Sequence, residues 1–82
     1  LRWTASKAAL TELIYALYAS KAINLGQTDI KEIAETLQGV FQYDLGNVYQ
    51  TFSEIKERQK SKTKFLDELS MGLYAYMERF ND

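Results

Sequence analysis

Residues 30–41 read IKEIAETLQGVF, and this stretch decides the fold. Its apolar residues recur every three or four positions, which is the spacing of one face of an α-helix. They are Ile30, Ile33, Ala34, Leu37, Val40 and Phe41. Thr28 or Asp29 can cap the first turn, and Glu32, three residues after Asp29, completes a capping-box pattern. We therefore predict a helix from Asp29 to Phe41 with one buried face.

A second helix is predicted after a tight connection at residues 42–44. The same spacing recurs at Leu45, Val48, Tyr49, Phe52 and Ile55. Asp44 is a good N-cap, so this helix is predicted to run from Asp44 to Arg58. Two helices of about twelve residues with a short turn have the lengths of a helix-turn-helix, whose second helix enters the major groove of DNA. Any compact helical hairpin has similar lengths, so both interpretations stay open.

Two further helices are predicted on either side of this pair. Residues 8–19 are apolar around most of the helix circumference, which is typical of a central helix that others surround. Thr4 or Ser6 can cap its start, and residues 24–26 can end it. After Thr63, a candidate cap, one apolar face carries Phe65, Leu66, Leu69, Leu73, Tyr76, Met77 and Phe80. The sequence therefore predicts an all-α, four-helix domain.

The composition excludes several classes of function. Eighty-two residues form one domain, here residues 1–82, and a first residue that is leucine rather than methionine suggests a domain cut from a longer chain. Cysteine and histidine are absent, which removes the thiolate metal ligands and the commonest general base. There is also no glycine-rich phosphate loop. We therefore expect no enzyme, no catalytic residue, no cofactor, no metal site and no membrane span.

The positive charge is concentrated in residues 56–64, which hold five of the ten basic residues and one acidic residue. The rest of the chain therefore has five basic and ten acidic residues. Four of these cations are candidates for DNA phosphate contacts, which are driven by counterion release. They are Arg58, Lys60, Lys62 and Lys64. A helix C-terminus also favours cations such as Arg58, but Lys62 and Lys64 precede the next helix and oppose its dipole. An anionic partner is therefore predicted.

The outward face of the third predicted helix carries candidates for base recognition. Asn47 and Gln50 can bind adenine through two hydrogen bonds, and the methyl group of Thr51 can contact thymine. A solvated helix start accounts for the same residues. Glu54 and Glu57 lie beside them and would repel phosphates. The base-edge candidates are therefore Asn47, Gln50 and Thr51, with a purely structural interpretation beside them.

Four segments carry a family resemblance: LRWTASKAALTELIYALYAS, DIKEIA, DLGNVYQTFSEIK and TKFLDEL. They resemble the C-terminal domain of the RteC family, over essentially all 82 residues. The resemblance implies a winged-helix, DNA-binding domain of a transcriptional regulator associated with tetracycline-resistance elements. Such a regulator controls excision and transfer genes of a conjugative transposon, acts in the cytoplasm and binds double-stranded promoter or operator DNA.

Carried onto this sequence, the resemblance makes residues 29–41 and 44–58 the two helices of the DNA-binding motif. Residues 59–64 take the place of the wing, and residues 1–3 form a short strand. No alternating strand pair follows the third helix, so the fold is expected to be winged-helix-like with a short or absent β-wing. Lys21 stands where many relatives have glycine, and Gln50 where many have a basic residue.

A homodimer is compatible with this picture. The alternative is a helical protein-interaction or oligomerisation module without DNA binding.

Overall fold

The computed structural model describes residues 1–80, which contain four α-helices and no strand. The helices are α1 (Lys7–Ala19), α2 (Ile30–Phe41), α3 (Val48–Lys56) and α4 (Lys64–Glu78), and a short 3₁₀ helix at Asn24–Gly26 lies between α1 and α2. The all-α, four-helix prediction is confirmed. The strand expected at residues 1–3 and a β-wing at residues 59–64 are not formed. The predicted domain extends over residues 81 and 82, which lie outside the described part.

Helix α1 is the centre of the domain, as its apolar circumference predicts. Helices α2, α3 and α4 all pack against it. Leu10 and Ile14 of α1 are completely buried, and so is Leu45 from the turn before α3. The buried core consists of Leu10, Ile14, Ile30, Ile33, Ala34, Leu45 and Val48. Burying a side chain of this kind contributes about 1.5–3 kcal/mol, so this cluster is the main source of the domain's stability.

The first two helix starts follow the predicted caps. The Ser6 hydroxyl accepts a hydrogen bond from the Ala9 N–H at 3.0 Å, at the start of α1. The Asp29 carboxylate accepts one from the Glu32 N–H at 2.8 Å, at the start of α2. The Glu32 carboxylate in turn accepts a hydrogen bond from the Thr28 hydroxyl. Each cap satisfies a backbone donor that the helix itself leaves without a partner.

The predicted start of α3 at Asp44 is wrong. Asn47 is the N-cap, and its Oδ1 accepts from the N–H groups of Tyr49 and Gln50, both at 3.1 Å. Asp44 instead accepts from the Gly46 N–H at 2.9 Å inside the turn. Gly46 has a φ of +62°, which glycine adopts without strain. The connection between α2 and α3 therefore spans residues 42–47, longer than predicted.

Helix α4 begins against the body of the domain and then projects from it. Its first turn meets Trp3, whose ring centre lies 5.6 Å from that of Phe65 and 5.2 Å from that of Phe41 in α2. No residue of α4 is buried. The radius of gyration is 14.0 Å, against about 12 Å for a compact chain of this length. The longest dimension is 44 Å, which agrees with a helix whose outer turns extend beyond the core.

Candidate nucleic-acid interface

Helix α3 presents a different face to solvent from the one that the sequence indicates. Val48 and Ile55 are buried, while Thr51 and Phe52 are half-buried. Tyr49 was expected to face inward but is 56% exposed. Compared with the predicted orientation, α3 is thus rotated about its own axis by roughly 50°, which is half of the angle of about 100° between successive residues. The outward face carries Tyr49, Gln50, Ser53, Glu54 and Glu57.

The three base-edge candidates end up in three different environments. Asn47 is exposed, but its side-chain oxygen caps α3 and is therefore engaged by the backbone. Thr51 is half-buried, and its hydroxyl donates to the Asn47 carbonyl at 3.3 Å. The side chain of Gln50 lies on the exposed face of α3. Of the three, Gln50 is the one whose side chain is exposed and does not cap or brace the start of α3.

Two cations that the sequence did not single out lie at the start of α3. Lys31 lines an open cleft of about 380 Å³ between α2 and α3, together with Asn47 and Tyr49. A Cβ placed on Gly46 would lie 3.5 Å from the Lys7 ammonium, so that group sits over the turn. Neither lysine has a basic neighbour in the sequence. They lie near the same turn because α1 and α2 both pack beside it.

Arg58 is engaged inside the protein. Its Nη1 forms a salt bridge with Glu12 Oε1 at 3.0 Å, and it also lies 3.5 Å and 3.4 Å from the carbonyls of Ser61 and Lys62. The side chain of Glu12 is only 4% exposed and that of Arg58 27% exposed. Because this guanidinium already neutralises a buried carboxylate, the structure favours an internal role for Arg58 over a phosphate contact.

Glu12 joins three elements at one point. While Oε1 binds Arg58 at the end of α3, Oε2 accepts the Leu66 N–H at 2.9 Å in the first turn of α4. A carboxylate at a helix N-terminus is favoured by the helix dipole. Thr63 holds the N-cap position of α4, as predicted, but its hydroxyl donates to the Asp67 carboxylate at 3.3 Å and does not accept a backbone N–H. The sequence feature that could have revealed this contact is a single carboxylate inside the apolar run of α1. A charge in such a position needs a buried partner.

The remaining cations of the basic run are exposed. They are Lys56, Lys60, Lys62 and Lys64, which we call the lysine edge. The one salt bridge within residues 1–80 is Arg58–Glu12, so the lysine edge makes none there. Part of the positive charge in the basic run is therefore explained by Glu12, and the rest faces solvent.

An apolar groove of about 280 Å³ lies behind the lysine edge, between α1, α3 and the start of α4. The rings of Tyr15 and Phe52 stack in its wall with centres 3.9 Å apart and planes 7° from parallel. Burial raises the pKa of the Tyr15 phenol, and the nearby Tyr49 raises it further. Lys56 and Lys62 border the groove, so the methylene stem of Lys56 can cover apolar surface while its ammonium stays in water.

Comparison with known proteins gives one match. The sequence model of the family described as RteC protein matches residues 1–81, essentially the whole chain. No curated protein and no solved structure matches the chain. Within residues 1–80, no helix combines the length and the apolar character needed to cross a membrane.

Proposed function

The chain belongs to the RteC family, and we propose that it is the DNA-binding domain of a transcriptional regulator that controls excision and transfer genes of a bacterial conjugative transposon. Such a regulator would act in the cytoplasm, where its promoter DNA lies. The observation that carries the proposal is the exposed polar face of α3, which is bounded by lysines at both ends. In this proposal, α2 and α3 form the helix-turn-helix and α3 enters the major groove.

The dimensions of α3 suit that role. Its nine residues make a rod about 13 Å long, and the major groove is about 12 Å wide. Gln50 lies in the first turn, where recognition helices contact base edges. Tyr49 and Ser53 flank it on the same face, and the amide of Asn47 and the methyl group of Thr51 lie at its border. Glu54 can accept from a cytosine amine, which is the favourable contact available to a carboxylate there.

Phosphate contacts are assigned to the three exposed lysines downstream of α3. Lys60, Lys62 and Lys64 follow the helix, and Lys7 and Lys31 lie beside its start. The formal net charge of the whole chain is −1, so attraction to any duplex is weak and depends on this local arrangement. If the three downstream lysines each neutralise one phosphate, the slope of log K against log salt is about −3.

A salt series on duplex binding tests the proposal. Fluorescence anisotropy would measure the affinity for a labelled duplex from the region upstream of the gene, with a shuffled duplex of the same composition as control. We expect tighter binding to the upstream duplex and a slope near −3 for both. If neither duplex binds at low salt, or if the slope is near zero, the proposal is refuted.

Single substitutions separate the two kinds of contact. Lys62→Ala should weaken binding to both duplexes equally and make the slope shallower by about 1. Lys62→Arg keeps the charge and should leave the slope unchanged. Gln50→Ala should alter the preference between the two duplexes and leave the slope unchanged. Equal affinities of the Lys62→Ala variant and the parent chain would remove Lys62 from the phosphate contacts.

A second candidate function is a helical interaction module without DNA binding. The observation in its favour is the exposed apolar face of α4, which a purely DNA-reading domain does not need. Association of the chain with itself, combined with no binding to any duplex at low salt, would favour this second function over the first.

A further inference from the structure

The outer turns of α4 carry apolar side chains that the domain itself does not cover. We call Leu69, Leu73, Tyr76 and Met77 of α4, together with Phe80 in the turn that follows, the α4 stripe. Each is between 44% and 67% exposed. Their spacing continues that of Leu66, which packs against the body in the first turn, and it matches the alternating three- and four-residue steps of a helix-pairing seam. The same face of α4 is thus covered at its start and exposed beyond it.

The α4 stripe is large enough to form a stable contact with a second helix. With about 200 Å² for a complete side chain of this size, the exposed fractions correspond to roughly 550 Å². A copy of the same stripe would double the buried area to about 1,100 Å², above the roughly 1,000 Å² that a specific interface needs. A two-fold pair uses the same patch on both copies, so a self-complementary stripe fulfils the requirement for a dimer.

We propose that two copies of this chain associate through the α4 stripe, with the two α4 helices antiparallel. This inference goes beyond the proposed DNA-binding function and does not depend on it. The occupant is a second copy because its stripe has the same length and apolar character, and because two opposite charges beside the stripe meet only between antiparallel copies.

Those charges are Glu68, near the start of α4, and Arg79, the residue that caps its C-terminal end, and they lie on the same side of the helix. Eleven residues, about three turns and 16 Å, separate them along the helix. Antiparallel pairing brings Arg79 of one copy beside Glu68 of the other, twice in each dimer, whereas parallel pairing leaves them about 16 Å apart. Both side chains are exposed, and neither belongs to the Arg58–Glu12 salt bridge. The Arg79 guanidinium lies 5.6 Å from the centre of the Tyr76 ring, next to the stripe.

Sedimentation equilibrium of the chain without DNA provides the first test. We expect a species of twice the 9.5 kDa monomer mass at micromolar concentration. Leu73→Glu places a carboxylate in the middle of the seam on both copies and should raise the dimer Kd at least about 100-fold. Met71→Glu is the matched control, because Met71 is 70% exposed on the opposite side of α4. This variant should dimerise like the parent chain.

Charge reversal tests the orientation. Glu68→Arg should raise the dimer Kd roughly fivefold, since two like-charged contacts replace two attractive ones. The double variant Glu68→Arg/Arg79→Glu restores opposite charges and should return the Kd to that of the parent. Circular dichroism of each variant would check that the helices remain folded. If the chain is monomeric up to high micromolar concentration, or if Leu73→Glu and Met71→Glu have equal effects, pairing through the stripe is refuted. If the double variant does not recover, the antiparallel orientation is refuted.

Discussion

Replacing Arg58 with methionine should destabilise the domain strongly, because the change leaves Glu12 as a buried charge with one partner. Methionine keeps an unbranched apolar side chain but removes the guanidinium. The Glu12 carboxylate, 4% exposed, then has only the Leu66 N–H at 2.9 Å. Breaking a buried ion pair on one side costs about 3–5 kcal/mol. Since the Arg58 side chain is 27% exposed, we expect a value at the low end, about 3 kcal/mol.

Urea and thermal unfolding, followed by far-UV circular dichroism at neutral pH, would measure this loss. For a domain of this size, 1 kcal/mol corresponds to a change in Tm of about 4–8 °C, so a loss of about 3 kcal/mol should lower Tm by roughly 12–24 °C. Glu12→Gln keeps an oxygen for the Leu66 N–H and removes the buried charge. The double variant Glu12→Gln/Arg58→Met should therefore be more stable than the sum of the two single changes predicts, by at least about 1 kcal/mol.

Lys62→Met is the matched control, since it removes an equal charge from an exposed position a few residues away. Its free energy of unfolding should stay within about 0.5 kcal/mol of the parent. Equal stabilities of Arg58→Met and Lys62→Met, with an equal loss of duplex affinity, would contradict the internal role of Arg58 and return it to the phosphate contacts. An absence of coupling in the double variant would contradict the direct contact with Glu12.

Three further predictions concern other parts of the domain. Lys21 has a φ of +60°, so Lys21→Gly should raise the free energy of unfolding by about 0.5 kcal/mol in urea titrations. Trp3→Ala removes the ring between Phe41 and Phe65 and should lower that free energy by about 3 kcal/mol in the same assay. Burial raises the pKa of Tyr15 above 10.0, so the folded state keeps a proton that the unfolded state loses. The contribution of the Tyr15 proton to stability is therefore fully present below pH 10 and is lost as the pH rises above it. Tyr15→Phe should reduce this alkaline loss, measured by unfolding on both sides of that pH.

Local signals predicted the helices and two of their caps, because those signals act within a few residues. The apolar spacing of α2 and the cap at Asp29 belong to one short stretch, and the structure confirms both. The start of α3 was mistaken because Asp44 and Asn47 are both good N-cap residues. Leu45 fits the helical spacing of α3 but is buried from the turn before it. Local spacing does not distinguish these two ways of filling the core.

The candidate site was less accessible to sequence reasoning, since it depends on distant contacts. Glu12 and Arg58 are 46 residues apart, and no local feature separates Arg58 from the lysines of its run. The orientation of α3 depends on which of its side chains pack against α1. Tyr49, expected to face the core, is therefore exposed, and Thr51, expected to face solvent, is half-buried. For α4, the spacing identifies an apolar face, but only the structure shows that the body covers its first turn alone.

The contact between Glu12 and Arg58 also restricts how sequences of this family can diverge. Loss of either charge alone leaves the other unpaired in a poorly solvated place, whereas an apolar pair of similar volume at both positions is tolerated or even favourable. Substitutions at these two positions should therefore arise together, as Glu with Arg or as two uncharged residues. A correlation of this kind across family members would report the proximity of α1 to the end of α3 in chains of unknown structure.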